Sequence, residues 1–349
     1  MKKTMKLLVL IGVVALVAFA FCGCGGGGSE EALLNDAGEI ICPLDGQVLD
    51  SADDHGDYVI MVSIDNGAGS EPQSGIGKAD LLVEIPVEGG INRFFAFFYH
   101  NTPDTIGPVR SARHYVYDVV KGYDAVFAHC GGSPLAYDII STGTVKDIDE
   151  MGTTSAFWRT EDRKAPHNLY TSYENLSNVA AEREYAPVAL TECPAFNFMT
   201  ADDVDALTFG GVTDLLIPYR FKQVLFQWDE EAQRYQRYSA SDPSVDAIDN
   251  SPVMADNVAV LYVSNSLLGD DDSGRLEMSI SAGTGLLLQY GNVIDINWTN
   301  NPGEGFVFTD AATGEELKLV PGKTIINIAS PETEPAEYNA PAATEEGAE

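Results

Sequence analysis

Near residue 200 the hydrophobic pattern of this chain changes character, and that change most constrains what it can fold into. Upstream, from 58 to about 185, strand-like and helix-like segments alternate. Residues 58–64 are short and β-branched, 91–99 carry four phenylalanines, and 125–129 is strand-like. Residues 81–87 form a further apolar strand broken by Pro86. The stretch 111–123 reads as a helix with Ser111 as its cap, close behind a Gly107-Pro108 turn. Ser133-Pro134 opens another over 135–140, because proline directly after a capping serine is a helix-start signal. Ser172 caps a third. Downstream, 219–228 and 234–238 read as a hairpin across a polar turn. Short strands follow over 258–264, 275–281, 285–290, 293–298, 305–309, 317–319 and 324–328, with turn residues between them. The expectation is an α/β or α+β N-terminal domain followed by a smaller, mostly antiparallel β domain.

The ends of the chain have a different logic. Lys2, Lys3 and Lys6 precede an apolar run over 7–21, interrupted at Gly12. That run is shorter than the roughly 20 residues a membrane-spanning helix needs, and it reads as a signal peptide. Gly23 before Cys24 resembles a bacterial lipobox, although Phe21 stands where leucine is usual, and it makes Cys24 the expected lipidated residue. The layout is a lipoprotein signal peptide over 1–23, a flexible tether over 24–41 and a motif-bearing α/β domain over 42–198. A β-rich domain over 212–329 and a disordered acidic tail over 330–349 complete it; the tail carries six glutamates and no base.

Fifty-three acids against twenty bases give a formal charge of −33, which argues against nucleic acid as a partner and favours solubility through self-repulsion. With Cys24 assigned to the anchor, Cys42, Cys130 and Cys193 remain. Three is odd, so no complete disulfide framework is implied, and spacing selects no pair among them. There is no Cys-x-x-Cys, no HExxH and no Cys/His set at zinc spacing, so no metal or cofactor is expected. The acidic loop Asp270-Asp271-Asp272 lacks the spacing of a calcium loop and reads as a solvated turn.

Cations are scarce in this chain, yet between 78 and 164 nine bases face twelve acids and the local charge is only −3. Arg110 and Arg113 stand at the expected mouth of a helix, where a cation opposes the helix dipole. An anion between them and the free N–H groups relieves this, and arginine grips carboxylate or phosphate with two bonds. The anion is a ligand or an internal group such as Glu84, Glu88 or Asp118. Glu84 and Glu88 also qualify as an acid–base pair, or as partners for Arg93 or Arg110. His129 and Ser133, where a strand passes into a helix, are candidates for a base and a nucleophile at the end of the sheet where α/β proteins bind ligands. His167 and Asn168 fall in a loop that can line the same cleft.

Several motifs follow one another along the chain: Pro43-Leu44-Asp45-Gly46, Gln73-Ser74-Gly75 with Lys78-Ala79-Asp80, Glu88-Gly89-Gly90-Ile91 with Arg93, and Gly107-Pro108-Val109-Arg110-Ser111-Ala112-Arg113. Gly131-Gly132-Ser133-Pro134 and Lys164-Ala165-Pro166-His167-Asn168-Leu169-Tyr170 complete the set. Together they resemble the YerB-type bacterial lipoproteins, over roughly 42–330. The resemblance implies a lipid-anchored, two-domain envelope protein, extracytoplasmic at the cell membrane, and supplies no activity or catalytic residues. The leading expectation is a lipoprotein that binds an anionic envelope ligand, or an envelope protein, through Arg93, Arg110 and Arg113. Ser133, His129, His167 and Asn168 would line that site. Two alternatives stand beside it. One is a hydrolase of phosphodiester or glycan bonds using Glu84 or Glu88 with His129 or His167. The other is a structural lipoprotein whose arginines are closed against Glu84 and Glu88. Whether the chain is an enzyme is left open by its residues alone.

Overall fold

The computed structural model describes residues 33–269 and 274–339. The signal peptide, Cys24, residues 24–32 of the expected tether, the Asp270–Asp272 loop and residues 340–349 lie outside the described residues.

A ten-stranded sheet runs through both halves of the chain. Its first half supplies β1 (Ile60–Asp65), β2 (Leu81–Pro86), β3 (Asn92–Phe98), β4 (Val126–His129) and β5 (Lys146–Asp149), in the spatial order β2-β3-β1-β4-β5. β1 is antiparallel to β3 and parallel to β4. Beyond β2 the sheet continues with Thr324–Ala329, Asn257–Tyr262, Ala282–Gln289, Asn292–Asn301 and Gly305–Asp310. The strand Thr324–Ala329 is parallel to both its neighbours, and the rest of that half is antiparallel. The fold is thus a mixed α/β half followed by a mainly antiparallel β half, as the change in pattern predicts.

The inner strands are covered on both faces, which is why they read as continuous apolar runs rather than alternating ones. Met61, Val83, Phe95 and Phe97 pack on one face against Val116 and Val120 of α1 (Val116–Gly122). Ile60, Val62, Leu82 and Phe98 pack on the other against Leu176 and Val179 of a helix at Tyr173–Glu182. A helix at Pro134–Ser141 starts where the Ser-Pro signal puts it, with the Ser133 hydroxyl accepting from the N–H of Ala136. Ser172 caps the helix at Tyr173–Glu182 in the same way. The predicted hairpin forms from Val224–Asp229 and Arg234–Ser239. It belongs to a second, smaller sheet whose apolar face, with Leu215, Phe226 and Tyr235, packs on the second face of the large sheet.

Five expectations need correction. The segment from Ser111 is not helical; α1 begins at Val116 and has no side-chain cap. Residues 106–112 instead form an extended strap. Arg110 donates its N–H to the Ser63 carbonyl and accepts from Cys130, and Ala112 donates to Gly131. The strap's backbone is satisfied by the ends of β1 and β4, so no helical turn is needed there. The region expected as tether is ordered over 33–41, where Leu34 bridges Ile40 and Ile41 is buried. The region expected as disordered tail is ordered over 330–339. Glu334 accepts from the N–H of Ser330, and Glu337–Tyr338 adds a strand to the second sheet. Residues 317–319 form no strand, and the expected strand over 275–281 shrinks to Leu276–Glu277.

One buried ion pair joins the two sheets. Glu84 of β2 and Arg237 of the hairpin are each 1% exposed and meet at 2.8 Å. The other Glu84 oxygen accepts from the amides of Asn66 (3.0 Å) and Asn92 (2.9 Å). The Arg237 guanidinium lies 4.8 Å over the Phe94 ring and donates to the Ser244 hydroxyl. Both charges are hydrogen-bonded, so the pair holds, and losing one partner strands the other charge in the core. Arg237→Ala should therefore lower stability by about 3–5 kcal/mol. Glu84→Leu combined with Arg237→Met should recover most of that loss. Urea unfolding of the two variants checks both statements.

Candidate functional site

A cavity of about 750 Å³ opens at the C-terminal ends of β1 and β4. Ligands gather at this edge of α/β sheets because loops and helix starts converge there. Arg93 reaches it from β3, and Arg110 and Arg113 from the strap. Glu88 comes from the turn after β2, Ser133 from a helix start, and His167 from the loop before the strand Leu169–Thr171. Six of the nine sequence candidates therefore share one wall-lined space. Phe221 and Arg275 enter from the second half of the chain.

Asp65, at the end of β1, organises the cavity. Its Oδ1 accepts from the N–H of Gly67, which fixes the carboxylate. Its Oδ2 is shared by Arg110 Nε at 2.7 Å and His167 Nδ1 at 2.6 Å. That second contact puts the imidazole proton on Nδ1, so a neutral His167 keeps its lone pair on Nε2. Among the described residues nothing hydrogen-bonds to Nε2. Gly69 faces that ring at φ +86°, where only glycine is unstrained, and a Cβ there would lie 3.8 Å from it. The neighbouring Asn66 points the other way, onto Glu84, so consecutive residues serve the cavity and the buried ion pair.

Each strap arginine is held through its Nε. Arg113 Nε bonds both oxygens of Glu88, at 2.6 and 2.8 Å, and its Nη1 bonds the Ala112 carbonyl. Arg93 donates to the Ser111 carbonyl at 2.7 Å. Burial and the nearby Arg113 charge bring Arg93 down to about 10, so it stays cationic at neutral pH. Burial pushes Glu88 up, but the Arg113 bond and charge outweigh it and hold the carboxyl below its ordinary value. Among the described residues, Arg93, Arg110 and Arg113 line the cavity with two carboxylates, Asp65 and Glu88. In a chain of charge −33 this is a local cationic excess. Arg110 and Arg113 keep 22% and 13% of their side-chain surface exposed, so pairing does not close the space.

Three candidates lie elsewhere. Glu84 is engaged with Arg237. His129 is fully buried, with Nε2 on Asp147 at 2.6 Å and Nδ1 on the Gly131 carbonyl. Asn168 donates to the Thr160 carbonyl and accepts from Arg159, outside the cavity lining. Ser133, though it lines the cavity, uses its oxygen to cap its helix. Cys42, Cys130 and Cys193 are free thiols. Burial and a bond to Glu150 push the Cys130 thiol up to about 11, which disfavours the thiolate. Sequence reasoning passed over Asp65 as a site residue, although its place in a polar loop at a strand's C-terminal end was the available signal. Phe221 and Arg275 had no such signal, because they are distant in the chain.

A sheet shared by two chain segments, with a cation-lined cavity at one edge, defines the class: a two-part α/β protein with a large cleft lined by arginines. Residues 46–186 match the family described as "Protein of unknown function (DUF3048) N-terminal domain", and residues 215–326 match its C-terminal domain. The chain is 32% identical over 326 residues to "Putative lipoprotein YerB" of Bacillus subtilis (strain 168), covering 90% of this chain and 94% of that protein. It also superposes on the crystal structure of the YerB protein from Bacillus subtilis with a TM-score of 0.77 at 30% identity. That likeness covers 86% of this chain and all of the other. The chain belongs to the YerB-type family with paired N- and C-terminal domains of this description.

The Glu88–Arg113 pair gives a pH-dependent prediction. Glu88 is held below its ordinary 4.5, so the unfolded chain binds this proton more readily than the folded one. The stabilisation is present above about 4.5 and is lost as pH falls through the lowered folded value. Glu88→Gln should thus lower Tm at neutral pH, with the difference from the unaltered chain shrinking toward zero in acid. Thermal melts across that range test it.

Proposed function

We propose that this chain is a membrane-anchored envelope lipoprotein that binds an anionic ligand in the cavity beside Asp65, with Arg93, Arg110 and Arg113 as the gripping groups. The observation that carries the reading is the excess of arginines over carboxylates around one open space in a strongly acidic protein. Asp65 and Glu88 take the Nε edges of two arginines and hold them in place, which leaves Arg110 Nη1 and Arg113 Nη2 for a ligand. Preorganised guanidinium groups bind carboxylate or phosphate without first losing rotamer freedom. Phe221, Val87 and Ile91 add apolar wall, which suits a ligand with a carbon skeleton beside its charge. The anchor rests on the basic and apolar N-terminal segment ending at Cys24, and the relative's name supports it. The division into a tethered motif-bearing domain over 42–198 and a β-rich domain over 212–329 belongs to the same proposal, with the shared sheet making the two halves one support for the cavity. Calorimetry with inorganic phosphate and with anionic cell-wall fragments tests the site. Arg110→Ala plus Arg113→Ala should weaken binding by about tenfold or more per arginine, since bonds to charged groups are worth about 1.5–3 kcal/mol each. Unchanged affinity in the double variant would sink the proposal.

A second reading, hydrolysis of a phosphodiester or glycan bond, is favoured by one observation: His167 is held by Asp65 with Nε2 left as an acceptor in the same cavity. A carboxylate-oriented imidazole is the usual arrangement for taking a proton from attacking water. Of the acid–base candidates this reading keeps His167, and it adds Asp65, which was not among them, as the orienting group. The purified chain should then turn over a substrate, and His167→Ala should reduce kcat by about 10²–10⁴. Ligands that raise Tm without any turnover across a broad substrate screen would decide for binding alone.

A further inference from the structure

Away from the cavity, the turn over 42–46 gathers three side chains that neither reading uses. Cys42 and Asp45 stand three positions apart in Cys42-Pro43-Leu44-Asp45-Gly46. Gly46 closes the turn: its N–H donates to the Cys42 carbonyl at 2.8 Å, and its φ of +68° suits glycine.

His100, just past β3, completes the group. The Cys42 sulfur, an Asp45 oxygen and a His100 ring nitrogen all lie within 4.8 Å of one another. His100 Nδ1 is 3.7 Å from Asp45 Oδ2 and 3.9 Å from Asp80 Oδ1. These separations are too long for good hydrogen bonds. They are close to the roughly 3.3–3.8 Å expected between two donors on one tetrahedral ion with bonds of about 2.0–2.3 Å. Asp80 braces the arrangement by accepting from the N–H groups of Tyr99, His100 and Asn101 and from the Asn101 amide. The Asn101 amide nitrogen sits 3.5 Å from His100 Nδ1, at the limit of a contact.

We propose that Cys42, Asp45 and His100 form a zinc site, with the fourth position taken by water or by Asp80. Thiolate, carboxylate and imidazole are zinc's ordinary donors, and the carboxylate-braced turn behind the histidine is the usual outer support. Burial and the Asp45 and Asp80 charges push the Cys42 thiol well up, so the sulfur keeps its proton until a cation replaces it. Burial and Asp45 push the Asp80 carboxyl up to about 7. Negative groups are therefore crowded in a poorly solvated place, and a divalent cation reverses that balance. The competing occupant is a proton: Asp45 raises His100 above its ordinary value, so a charged imidazole between carboxylates would use the same space.

The experiment uses the purified full-length chain, stripped with a chelator and dialysed against Zn²⁺. The expected result is one retained equivalent that Cys42→Ser, Asp45→Asn and His100→Ala each weaken by about tenfold or more. Co²⁺ should give a sulfur-to-metal charge-transfer band and tetrahedral ligand-field absorption, both lost in Cys42→Ser. The comparison among variants separates this site from the N-terminal Cys22 and Cys24. Zn²⁺ should also raise the Tm of the unaltered chain, a readout that holds even where a variant fails to fold. No retained Zn²⁺ and no Tm shift in the unaltered chain would mean an ion-pair cluster only. Equal retention by all three variants would place the metal elsewhere. Either result overturns the proposal.

Discussion

The Glu84–Arg237 pair is the constraint on which the rest of the structure depends. It sits between the two sheets, at the one point where β2 carries a charge through an otherwise apolar face. A carboxylate there is tolerable only if every oxygen is bonded, and Arg237, Asn66 and Asn92 meet that demand. Each partner comes from a different part of the chain. The pair therefore does more than neutralise charge: it sets how the hairpin lies on the large sheet, and through Asn66 it anchors the loop that begins with Asp65. The same loop fixes Arg110 and His167. Fold and cavity are coupled through two adjacent residues.

The cavity itself is built by holding cations with anions without cancelling them. Asp65 and Glu88 are each spent on an Nε edge, so the strap arginines are rigid yet keep charge. Arg93 lies behind them, bonded to a carbonyl and crowded by Arg113. Clustered guanidinium groups repel one another, and a protein keeps them together only where an anion is meant to arrive or where carboxylates intervene. Here carboxylates do intervene, with Asp65 on Arg110 and Glu88 on Arg113.

Much of this was legible in the residues. The double-sided burial of β1, β2 and β3 follows from their unbroken apolar runs, and the two serine caps follow from Ser-Pro and Ser-Tyr at helix starts. The cation count pointed to the segment that lines the cavity, where six of nine candidates meet. Residues 111–112 join the extended strap rather than the expected helix, because the backbone there is claimed by the ends of β1 and β4. The order over 33–41 and 330–339 was hidden for a like reason: composition predicts solvation, but Ile41 and Glu334 find buried partners that composition does not encode.

By itself, then, the sequence determined the two-part α/β and β character, the scarcity of cations and the segment that concentrates them. These are local properties, set by periodicity, turn chemistry and charge within a few tens of residues. The tertiary structure alone decided which carboxylate each arginine meets. Glu84 went to Arg237, more than a hundred positions away, and Arg110 went to Asp65. It also joined both halves in one sheet through the strand Thr324–Ala329 on β2, and brought Cys42 and Asp45 to His100. Pairings of this kind depend on strand order and on which buried groups are left to be satisfied, and no local pattern carries that information.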